Sequence, residues 1–500
     1  MGTDEPVERT LGDVTSAELR ARLHEAADWI ADYREEIGSR RISPQGKPGD
    51  ISAALPGSPP QHGQSMDSIL EELDRVIMPG IVHWGHPAFF GYFGSTTTAP
   101  GILGEMIAAA LNVSAMTWRT SPAASELEEL VVDWLRQMLR LSPQHRGVVY
   151  DTASVSTLHA LAAAREALDL DVRSRGLAGR MDVPQLKVYA SDQAHSSVEK
   201  AAIALGIGES NVTRILTDAE FRMVPEALEA EILKDLARGH LPCAVVATVG
   251  TTSTASVDPV PQIAAICRKH RIWLHVDAAY GAAMALLPEG MWAMAGTEAA
   301  DSIVVNPHKW FFVPLDFSVL YTRRPDMLRA VFALTPEYLQ GDASANAPNY
   351  MDYGIQLGRR FRALKMWMVF RTFGEEGLRA RIREHTRLAR RLASWIDADA
   401  GYTLAAPVTM GVVCFRACKD GWSPAALDAL NVAIVDAVNE TGEAYLTHTR
   451  IRGHIAIRVG IGNVLTTEAH VEACWNLVRR MCAAITAPSG IGSPARPPRN

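Results

Sequence analysis

Cysteine is scarce in this sequence and never occurs in the spacing of a metal site or a disulfide framework. The 500 residues include six cysteines, at positions 243, 267, 414, 418, 474 and 482. They form no CxxC pair, and no histidine spacing typical of a zinc site accompanies them. We therefore expect a protein without a bound metal, in a reducing compartment such as the cytoplasm.

Long apolar runs, basic runs and a nicotinamide-binding motif are also absent. No apolar stretch reaches the roughly 18 residues that a membrane-spanning helix needs, and the N-terminus, MGTDEPVERT, does not resemble a secretory signal. The net charge of -7 and the lack of a dense Lys/Arg run argue against nucleic-acid binding. The strand-to-helix turns lack GxGxxG, which disfavours a nicotinamide-dependent dehydrogenase.

The N-terminal region contains an amphipathic helix. Apolar residues recur at steps of three and four from Leu19 to Ile37, and Thr15 with Glu18 fits a capping box in front of them. A stretch rich in Pro, Gly and Ser, residues 43–60, separates this helix from the rest of the chain. Its apolar face needs a cover, which is either a partner subunit, the interpretation we favour, or its own domain.

The middle of the chain alternates short β-branched runs with helical stretches, which is typical of an α/β unit with a mostly parallel sheet. Five strands are predicted, at residues 147–150, 186–190, 244–249, 272–276 and 302–306. After about residue 370, a long helix, the strand-like VVCFRA, a helix near 424–440 and the strand-like IAIRVGI predict a smaller α+β domain. The tail APSGIGSPARPPRN is predicted to be disordered.

Small, polar or ionisable residues follow each of the five predicted strands. The segments are DTASVS, SDQAHSS, GTTSTAS, DAAY and PHKW. In open α/β sheets, ligands gather beyond the carboxyl ends of the strands. Five such ends in one sheet therefore predict a binding site.

Each of these segments has a structural alternative when it is taken alone. The turn at 152–154 either cradles a phosphate at a helix N-terminus or only caps that helix. Asp277 is either a turn residue or a buried carboxylate that holds a cationic nitrogen, and His195 is either structural or catalytic. Lys309 has the weakest structural alternative. A lysine usually lies on the surface, but the aromatic residues at 310–312 argue against an open surface there.

Together the segments favour a ligand with a phosphate, an aromatic ring carrying a basic nitrogen, and an aldehyde that captures a lysine. Pyridoxal 5′-phosphate (PLP) has all three features. The motifs NPHKW, HVDAAY, SDQAHSSVEKA, HPAFFGYF, SPAASELE and LGRRFRALKMW resemble those of the PLP-dependent aromatic-L-amino-acid decarboxylases, the group II decarboxylases. The resemblance extends from about residue 15 to about residue 480.

This resemblance implies the fold-type I, aminotransferase-like architecture with a mostly parallel seven-stranded sheet. It divides the chain into an N-terminal helical dimerisation segment (1–98), a large PLP-binding domain (99–366), a small C-terminal α+β domain (367–486) and a tail (487–500). A mobile catalytic loop is expected at about 335–353. The implied assembly is a homodimer with the active site at the subunit interface.

The resemblance also assigns roles to individual residues. Lys309 would bind the cofactor aldehyde, Asp277 would pair with the pyridine nitrogen, and His195 would stack on the ring. The other cofactor-binding positions are Thr152, Ala153, Ser154, Thr252, Ala279, Asn306 and His308, and His308 also matches a proton-handling group. Tyr338 matches the loop tyrosine that protonates Cα after decarboxylation, since a phenol is a proton donor at neutral pH.

The implied substrate pocket combines residues of two subunits. One chain would supply Trp84, Tyr92, Phe93 and Leu357, the neighbouring subunit would supply Ser114 and Met116, and Gly85 and Gly358 complete the set. Gly85 stands where animal dopa decarboxylases have histidine, so a roomier pocket is expected. Gly358 is associated in plant relatives with indolic substrates. Tryptophan is therefore favoured over phenylalanine, tyrosine, dopa and 5-hydroxytryptophan.

The expected activity is decarboxylation of aromatic L-amino acids to arylalkylamines. The main alternative is an oxidative aldehyde synthase, whose members tend to carry Phe in place of Tyr338 or Asn in place of His195; an aminotransferase is another. A PLP-binding sensor without activity would need a readout domain, and no such domain is recognisable. Three positions depart from the family pattern: Asp151 replaces a customary glycine at the phosphate turn, Val155 a glutamate and Phe311 a leucine.

Overall fold

The computed structural model describes residues 13–94, 96–334 and 349–487. Its α-helices, in chain order, are α1 (Ser16–Glu36), α2 (Asp50–Ala54), α3 (Met66–Glu72), α4 (Ala99–Leu111), α5 (Pro122–Met138), α6 (Ala153–Glu166), α7 (Val172–Arg175), α8 (Ser197–Ala204), α9 (Pro225–Ala237), α10 (Val260–His270), α11 (Pro307–Trp310), α12 (Pro325–Phe332), α13 (Ala363–Asp397), α14 (Pro424–Thr441) and α15 (Glu468–Thr486). No helix in these ranges is both long and apolar enough to cross a lipid bilayer.

A seven-stranded sheet forms the centre of the large domain. Its strands are β1 (Arg146–Tyr150), β2 (Leu186–Ser191), β3 (Val212–Ile215), β4 (Leu241–Thr248), β5 (Trp273–Asp277), β6 (Ser302–Val305) and β7 (Ser318–Thr322). The spatial order is β1-β7-β6-β5-β4-β2-β3, and β7 runs in the direction opposite to the other six strands. This is the mostly parallel sheet that the sequence predicts.

Both faces of the sheet are covered, which explains why its strands are almost continuously apolar. Neighbouring residues of β1 show the alternation: Val149 joins one buried cluster, whereas Val148 and Tyr150 join another. Each of the five predicted strands overlaps an observed one, and the largest shift is at β4, which begins at Leu241. The sequence pattern did not single out β3 and β7. Strand β3 is a four-residue edge strand that is only partly buried, and β7 follows the turn that carries Lys309.

The C-terminal region forms a second, antiparallel sheet. Strands β8 (Tyr402–Leu404), β9 (Val412–Ala417), β10 (Thr447–Ile451) and β11 (His454–Gly460) pair in the order β10-β11-β9-β8. Helix α13 leads into this sheet and is kinked at Gly374, where the positive φ of 62° suits glycine. The smaller α+β domain predicted from the sequence is therefore present.

Part of the N-terminal region packs against this smaller domain. Ile42, Phe89 and Phe90 share a buried core with β9 and β11. The Phe90 N–H donates to the Tyr445 carbonyl (2.9 Å), and the Gly460 N–H donates to the Phe90 carbonyl (2.8 Å). Chain segments 355 and 370 residues apart in sequence are thus joined beside the site.

Helix α1 lies outside this core and has no buried residue. The Thr15 hydroxyl caps it by accepting the Glu18 N–H (3.2 Å), as the sequence predicts. Leu19 and Leu23 on its apolar stripe are 49% and 48% exposed. The N-terminal half of the stripe is therefore uncovered in the part of the chain that the structure describes, whereas Ile30 and Tyr33 are partly buried and Ile37 is buried.

Candidate active site

The carboxyl ends of five strands meet at one edge of the large sheet. Strands β2, β4, β5 and β6 are parallel to one another. Strand β1 runs in the same direction, because β7 lies between β1 and β6 and is antiparallel to both. In the ladder, Thr248 at the end of β4 pairs with Asp277 at the end of β5, and Asp277 pairs with Val304 of β6. The segments that follow these strands therefore converge, as the sequence predicts.

Lys309 enters the site from the short helix α11, directly after β6. Its backbone N–H donates to the Asn306 carbonyl (2.9 Å), and its Nζ lies 4.8 Å from the centre of the Phe93 ring. Loss of hydration lowers the pKa of Lys309, with a smaller opposing contribution from Asp277 and a further lowering by Arg458. A lower pKa raises the fraction of neutral amine, which is the nucleophilic form.

Asp277 is the buried last residue of β5, and one of its carboxylate oxygens accepts the Ala279 N–H (3.1 Å). It interacts electrostatically with both Lys309 and His195. The site therefore contains a carboxylate close to the amine. Asp277 remains able to hold a cationic nitrogen, because Ala279 is a neutral donor.

His195 follows β2 and is held in one orientation. Its Nδ1 accepts the Ser197 N–H (3.1 Å), so the neutral ring carries its hydrogen on Nε2. Desolvation lowers the pKa of His195, which favours this neutral form. The residue is exposed, and it lines the cavity beside Lys309.

The N-terminus of α6 provides backbone donors. The N–H groups of Ala153 and Ser154 have no acceptor in the described ranges. The Asp151 carboxylate folds back onto its own turn, where it accepts the Thr152 N–H (2.7 Å), and it also accepts the Gln356 amide (3.3 Å). Asp151 thus takes one donor of the turn and leaves two for an anion, assisted by the helix dipole.

His308 and Asn306 flank Lys309 on the turn that carries it. The buried His308 accepts the Phe317 N–H at Nδ1 (2.9 Å), and burial lowers its pKa to about 3, so the ring is neutral with its hydrogen on Nε2. Asn306 is also buried, and its Oδ1 has no partner among the described residues. The Ala279 carbonyl accepts the Asn306 N–H (3.2 Å) and fixes this turn against β5.

A cavity of about 890 Å³ opens beside Lys309. Aromatic residues form one wall, where the rings of Trp84 and Tyr92 stack with centroids 5.3 Å apart. Phe93 stacks on Tyr280 with centroids 4.0 Å apart. Further lining residues are His195, Thr252, Ser253, His308, Leu315, Tyr445, Leu446, Thr447, His448, Thr449 and Arg458. The cavity has the size and the mixed polarity of a small-molecule site.

Arg458 is a site residue that the sequence reasoning missed. It is 4% exposed and donates from Nε to the carbonyls of Thr252 (3.1 Å) and Ser253 (3.2 Å) and from Nη1 to the Tyr92 carbonyl. Its buried Nη2 has no hydrogen-bond partner in the described residues. A charged residue inside the apolar run IAIRVGI was the available signal, because arginine is rarely buried without a function.

The structure adds two observations about the expected substrate pocket. A Cβ on Gly85 would lie 2.9 Å from the Ile37 side chain, so Ile37 already occupies the space that the missing side chain was expected to leave. Leu357 does not line the cavity with Trp84, and its segment pairs with the segment of Ser114, where the Arg359 N–H donates to the Ser114 hydroxyl (3.3 Å). Local sequence could not reveal either contact.

Two segments, 114–116 and 357–360, are joined by a bridge between Ser114 and Arg360 and form a patch whose residues Ser114, Met116, Leu357 and Gly358 do not line the cavity. The Ala115 N–H donates to the Arg359 carbonyl (2.8 Å), which joins the two segments of this patch. Leu357 and Gly358 are exposed, and a Cβ on Gly358 would meet no atom within 4 Å. Tyr338 and most of the expected catalytic loop lie outside the described residues.

The residues present fit PLP. The desolvated amine of Lys309 suits the aldehyde, the buried Asp277 carboxylate suits the pyridine nitrogen, and the imidazole of His195, which lines the cavity, suits the ring. The free N–H groups at α6 suit the phosphate. Fold and donor set together define a PLP-dependent enzyme of fold type I.

Comparisons with known proteins agree with this class. The model of the pyridoxal-dependent decarboxylase conserved domain matches residues 48–418. The chain is 37% identical to tryptophan decarboxylase 2 of Oryza sativa subsp. japonica, covering 94% of this chain and 96% of that protein. It is also 37% identical to phenylacetaldehyde synthase of Arabidopsis thaliana, covering 94% and 97%. The crystal structure of Oryza sativa TDC with PLP and tryptamine matches with a TM-score of 0.91 and 35% identity, covering 95% and 99%.

The chain belongs to the pyridoxal-dependent decarboxylase family, among the aromatic-L-amino-acid decarboxylases, which are lyases. Its cofactor is PLP. The family and the cofactor expected from the sequence motifs are therefore confirmed.

Proposed function

We propose that this enzyme converts aromatic L-amino acids into the corresponding arylalkylamines and carbon dioxide, with tryptophan as the preferred substrate. One observation carries the proposal: the Lys309 amine lines a cavity with an aromatic wall, and the buried Asp277 carboxylate ends the strand that pairs with the one preceding Lys309. The amine and the carboxylate suit PLP, and the aromatic wall suits a flat apolar side chain.

Each residue that we assign to the site has a separate role. Lys309 would hold the cofactor through its amine, and Asp277 would favour a proton on the ring nitrogen. His195 presents a ring face, and the N-terminus of α6 holds the phosphate. When bound, PLP supplies the electron sink that accepts the electron pair left at Cα after carbon dioxide departs.

Arg458 is the group that we assign to the substrate carboxylate. Its Nη2 is buried and unpartnered among the described residues, and its side chain lines the cavity. Three hydrogen bonds to carbonyls hold the guanidinium in place. A positioned guanidinium fixes the direction of a carboxylate, which determines the bond to Cα that breaks.

The choice between amine and aldehyde depends on two residues. Relatives at the same 37% identity include a decarboxylase and an aldehyde synthase, so overall similarity does not decide. This chain has tyrosine at 338 and histidine at 195, whereas the aldehyde synthases tend to carry Phe or Asn at the matching positions. Tyr338 returns a proton to Cα, and the amine product follows.

The preference for tryptophan is supported by the open space at Gly358. Because Gly358 lies in the patch with Ser114 and Met116, we propose that all three reach the cavity of a partner subunit. The complete substrate pocket then requires a homodimer, and a glycine in its wall leaves room for an indole.

A panel of aromatic L-amino acids tests the proposal. The PLP-loaded enzyme is expected to release one amine and one carbon dioxide per substrate without hydrogen peroxide, with the highest kcat/KM for tryptophan. Aldehyde, ammonia and peroxide in equal amounts would establish the oxidative route instead. A higher kcat/KM for tyrosine or dopa would overturn only the substrate preference.

Substituting Tyr338 by Phe tests the proton donor. The variant is expected to divert product from amine to aldehyde, because the phenol that protonates Cα is lost. Tyr353→Phe, at the C-terminal end of the expected loop, is the matched control and should leave the product ratio unchanged. An unchanged amine yield in Tyr338→Phe would show that another group donates the proton.

A further inference from the structure

A row of aromatic rings extends from the cavity into the interior of the protein. Phe93 stacks on Tyr280 (centroids 4.0 Å apart), and Tyr280 stacks on Trp310 (4.7 Å). The Trp310 ring is parallel to the imidazole of His385 to within 2°. Tyr280, Trp310 and His385 are each at most 4% exposed.

His385 ends the row with both ring nitrogens paired. The Trp310 indole N–H donates to Nδ1 (2.9 Å), and Nε2 donates to the Asn463 carbonyl (3.0 Å). This pattern requires the neutral ring, and burial lowers the pKa of His385 to about 4. His385 belongs to α13 and Asn463 follows β11, so the pair ties the indole to the smaller domain.

The row of rings reaches Lys309 from two sides. Trp310 is the next residue after Lys309 in α11, so a fixed indole limits rotation of the turn that carries the amine. At the other end of the row, Phe93 lies under the Lys309 Nζ, 4.8 Å from it. The same row of rings therefore positions both the backbone next to Lys309 and the Phe93 ring beside its amine.

We infer that His385 is a positioning residue for the PLP lysine and acts through its hydrogen bond with the Trp310 indole. His385 does not line the cavity. Without its acceptor, the buried indole N–H would lose its partner, and the turn would shift or loosen to satisfy that donor. The amine of Lys309 would then be presented at a different angle to the cofactor.

This inference rests on Lys309 as the cofactor-binding lysine, and its test uses the purified full chain with added PLP. His385→Phe keeps an aromatic ring but removes both nitrogens. It is expected to weaken PLP binding roughly tenfold, as measured by fluorescence titration of the apoenzyme. The pH midpoint of the visible absorption band of the bound cofactor should shift, and kcat should fall more than KM changes.

Two comparisons separate positioning from general destabilisation. His385→Asn places an oxygen where Nδ1 was, so it is expected to restore much of the PLP affinity and the absorption midpoint. Ile382→Val removes a buried methyl group from the same helix, and should lower the thermal midpoint while leaving PLP affinity and the absorption titration unchanged.

A pair of variants tests whether His385 affects PLP binding through the Trp310 indole. Trp310→Phe removes the N–H donor, and the double variant with His385→Phe should bind PLP no worse than His385→Phe alone, because each single substitution already removes the same hydrogen bond. Additive losses, or wild-type affinity and absorption in His385→Phe, would overturn the inference. Should His385→Phe not fold, wild-type affinity and absorption in Trp310→Phe would overturn it equally.

Failure of the lysine assignment gives a different result. In that case Lys309→Ala would retain the visible absorption band of the bound cofactor. The role of His385 and the role of Lys309 are therefore tested separately.

Discussion

At the scale of single residues, burial prepares Lys309 for its chemistry. Desolvation destabilises the charged amine more than Asp277 stabilises it, so the pKa of Lys309 falls. The neighbouring Phe93 ring and the buried Arg458 add an apolar surface and a second positive charge. A lysine on an open surface would lack all three influences and would remain protonated at neutral pH.

Replacement of Lys309 by alanine is predicted to lower turnover by at least about three orders of magnitude, because the covalent attachment point is lost. The visible absorption band of lysine-bound PLP should also disappear. Amine release and the absorption spectrum measure the two effects.

Lys234→Ala is a suitable control for this change, since Lys234 is an exposed lysine paired with Glu231 (3.0 Å) on α9. It should leave both signals at the wild-type level. Turnover and an intact band in Lys309→Ala would show that another group binds the cofactor.

Arg458 illustrates how one residue joins three parts of the chain. Its guanidinium binds carbonyls of the loop after β4 and of the N-terminal segment, while its own backbone belongs to β11 of the smaller domain. Because the polar groups it satisfies line the cavity, the same side chain shapes the pocket and holds its walls together.

At the scale of elements, the close approach of α4 and α13 supports the large domain. A Cβ on Gly104 of α4 would lie 2.5 Å from Cα of Lys365 on α13, closer than any relaxed contact. Glycine therefore permits this helix pair to pack, although it costs about 1 kcal/mol of helix propensity relative to alanine. Lys365 in turn pairs with Glu105 on α4.

Gly104→Ala is predicted to destabilise the protein by about 1–3 kcal/mol, because the clash with a helix backbone outweighs the gain in propensity. Chemical denaturation measures the change. Gly377→Ala, in α13, is the control. Its added Cβ meets the tip of the Arg381 side chain (3.2 Å) and the Cβ of Phe373 (3.4 Å), so little or no loss is expected there. Equal effects at the two sites would contradict the packing explanation.

At the scale of the whole molecule, exposed apolar residues indicate an unfilled interface. Leu19 and Leu23 on α1 and Leu103, Ile107 and Leu111 on α4 are each 45–55% exposed. Surfaces of this kind are normally covered by another protein surface. A homodimer would cover them and would bring the patch around Ser114 towards a second active site.

The enzyme is predicted to have twice its 54.4 kDa chain mass in solution. A double substitution of Leu19 and Leu23 by glutamate should shift it towards the monomer and lower kcat/KM for tryptophan. Light scattering after size exclusion measures the mass. Leu233→Glu alters an equally exposed leucine on α9 and should remain dimeric. A dimeric mass for the double variant would remove α1 from the proposed interface.

Much of the architecture could be predicted from the chain because it depends on local pattern. The five predicted strands and the capped first helix follow from the periodicity of apolar residues over a few positions. The polar segments after those strands then define a site once the strands are parallel. Lys309 was recognisable because lysine is unusual beside three aromatic residues.

The sequence by itself determined the fold class, the cofactor and the residues that flank the strand ends. These features depend on side-chain chemistry and on neighbours close in the chain. Only the tertiary structure decided that Ile37 fills the space beside Gly85, that the segment of Leu357 pairs with the segment of Ser114, and that Arg458 enters the cavity. Each of these is a contact between segments far apart in sequence, and such contacts are fixed by packing of the whole molecule, which no local pattern encodes.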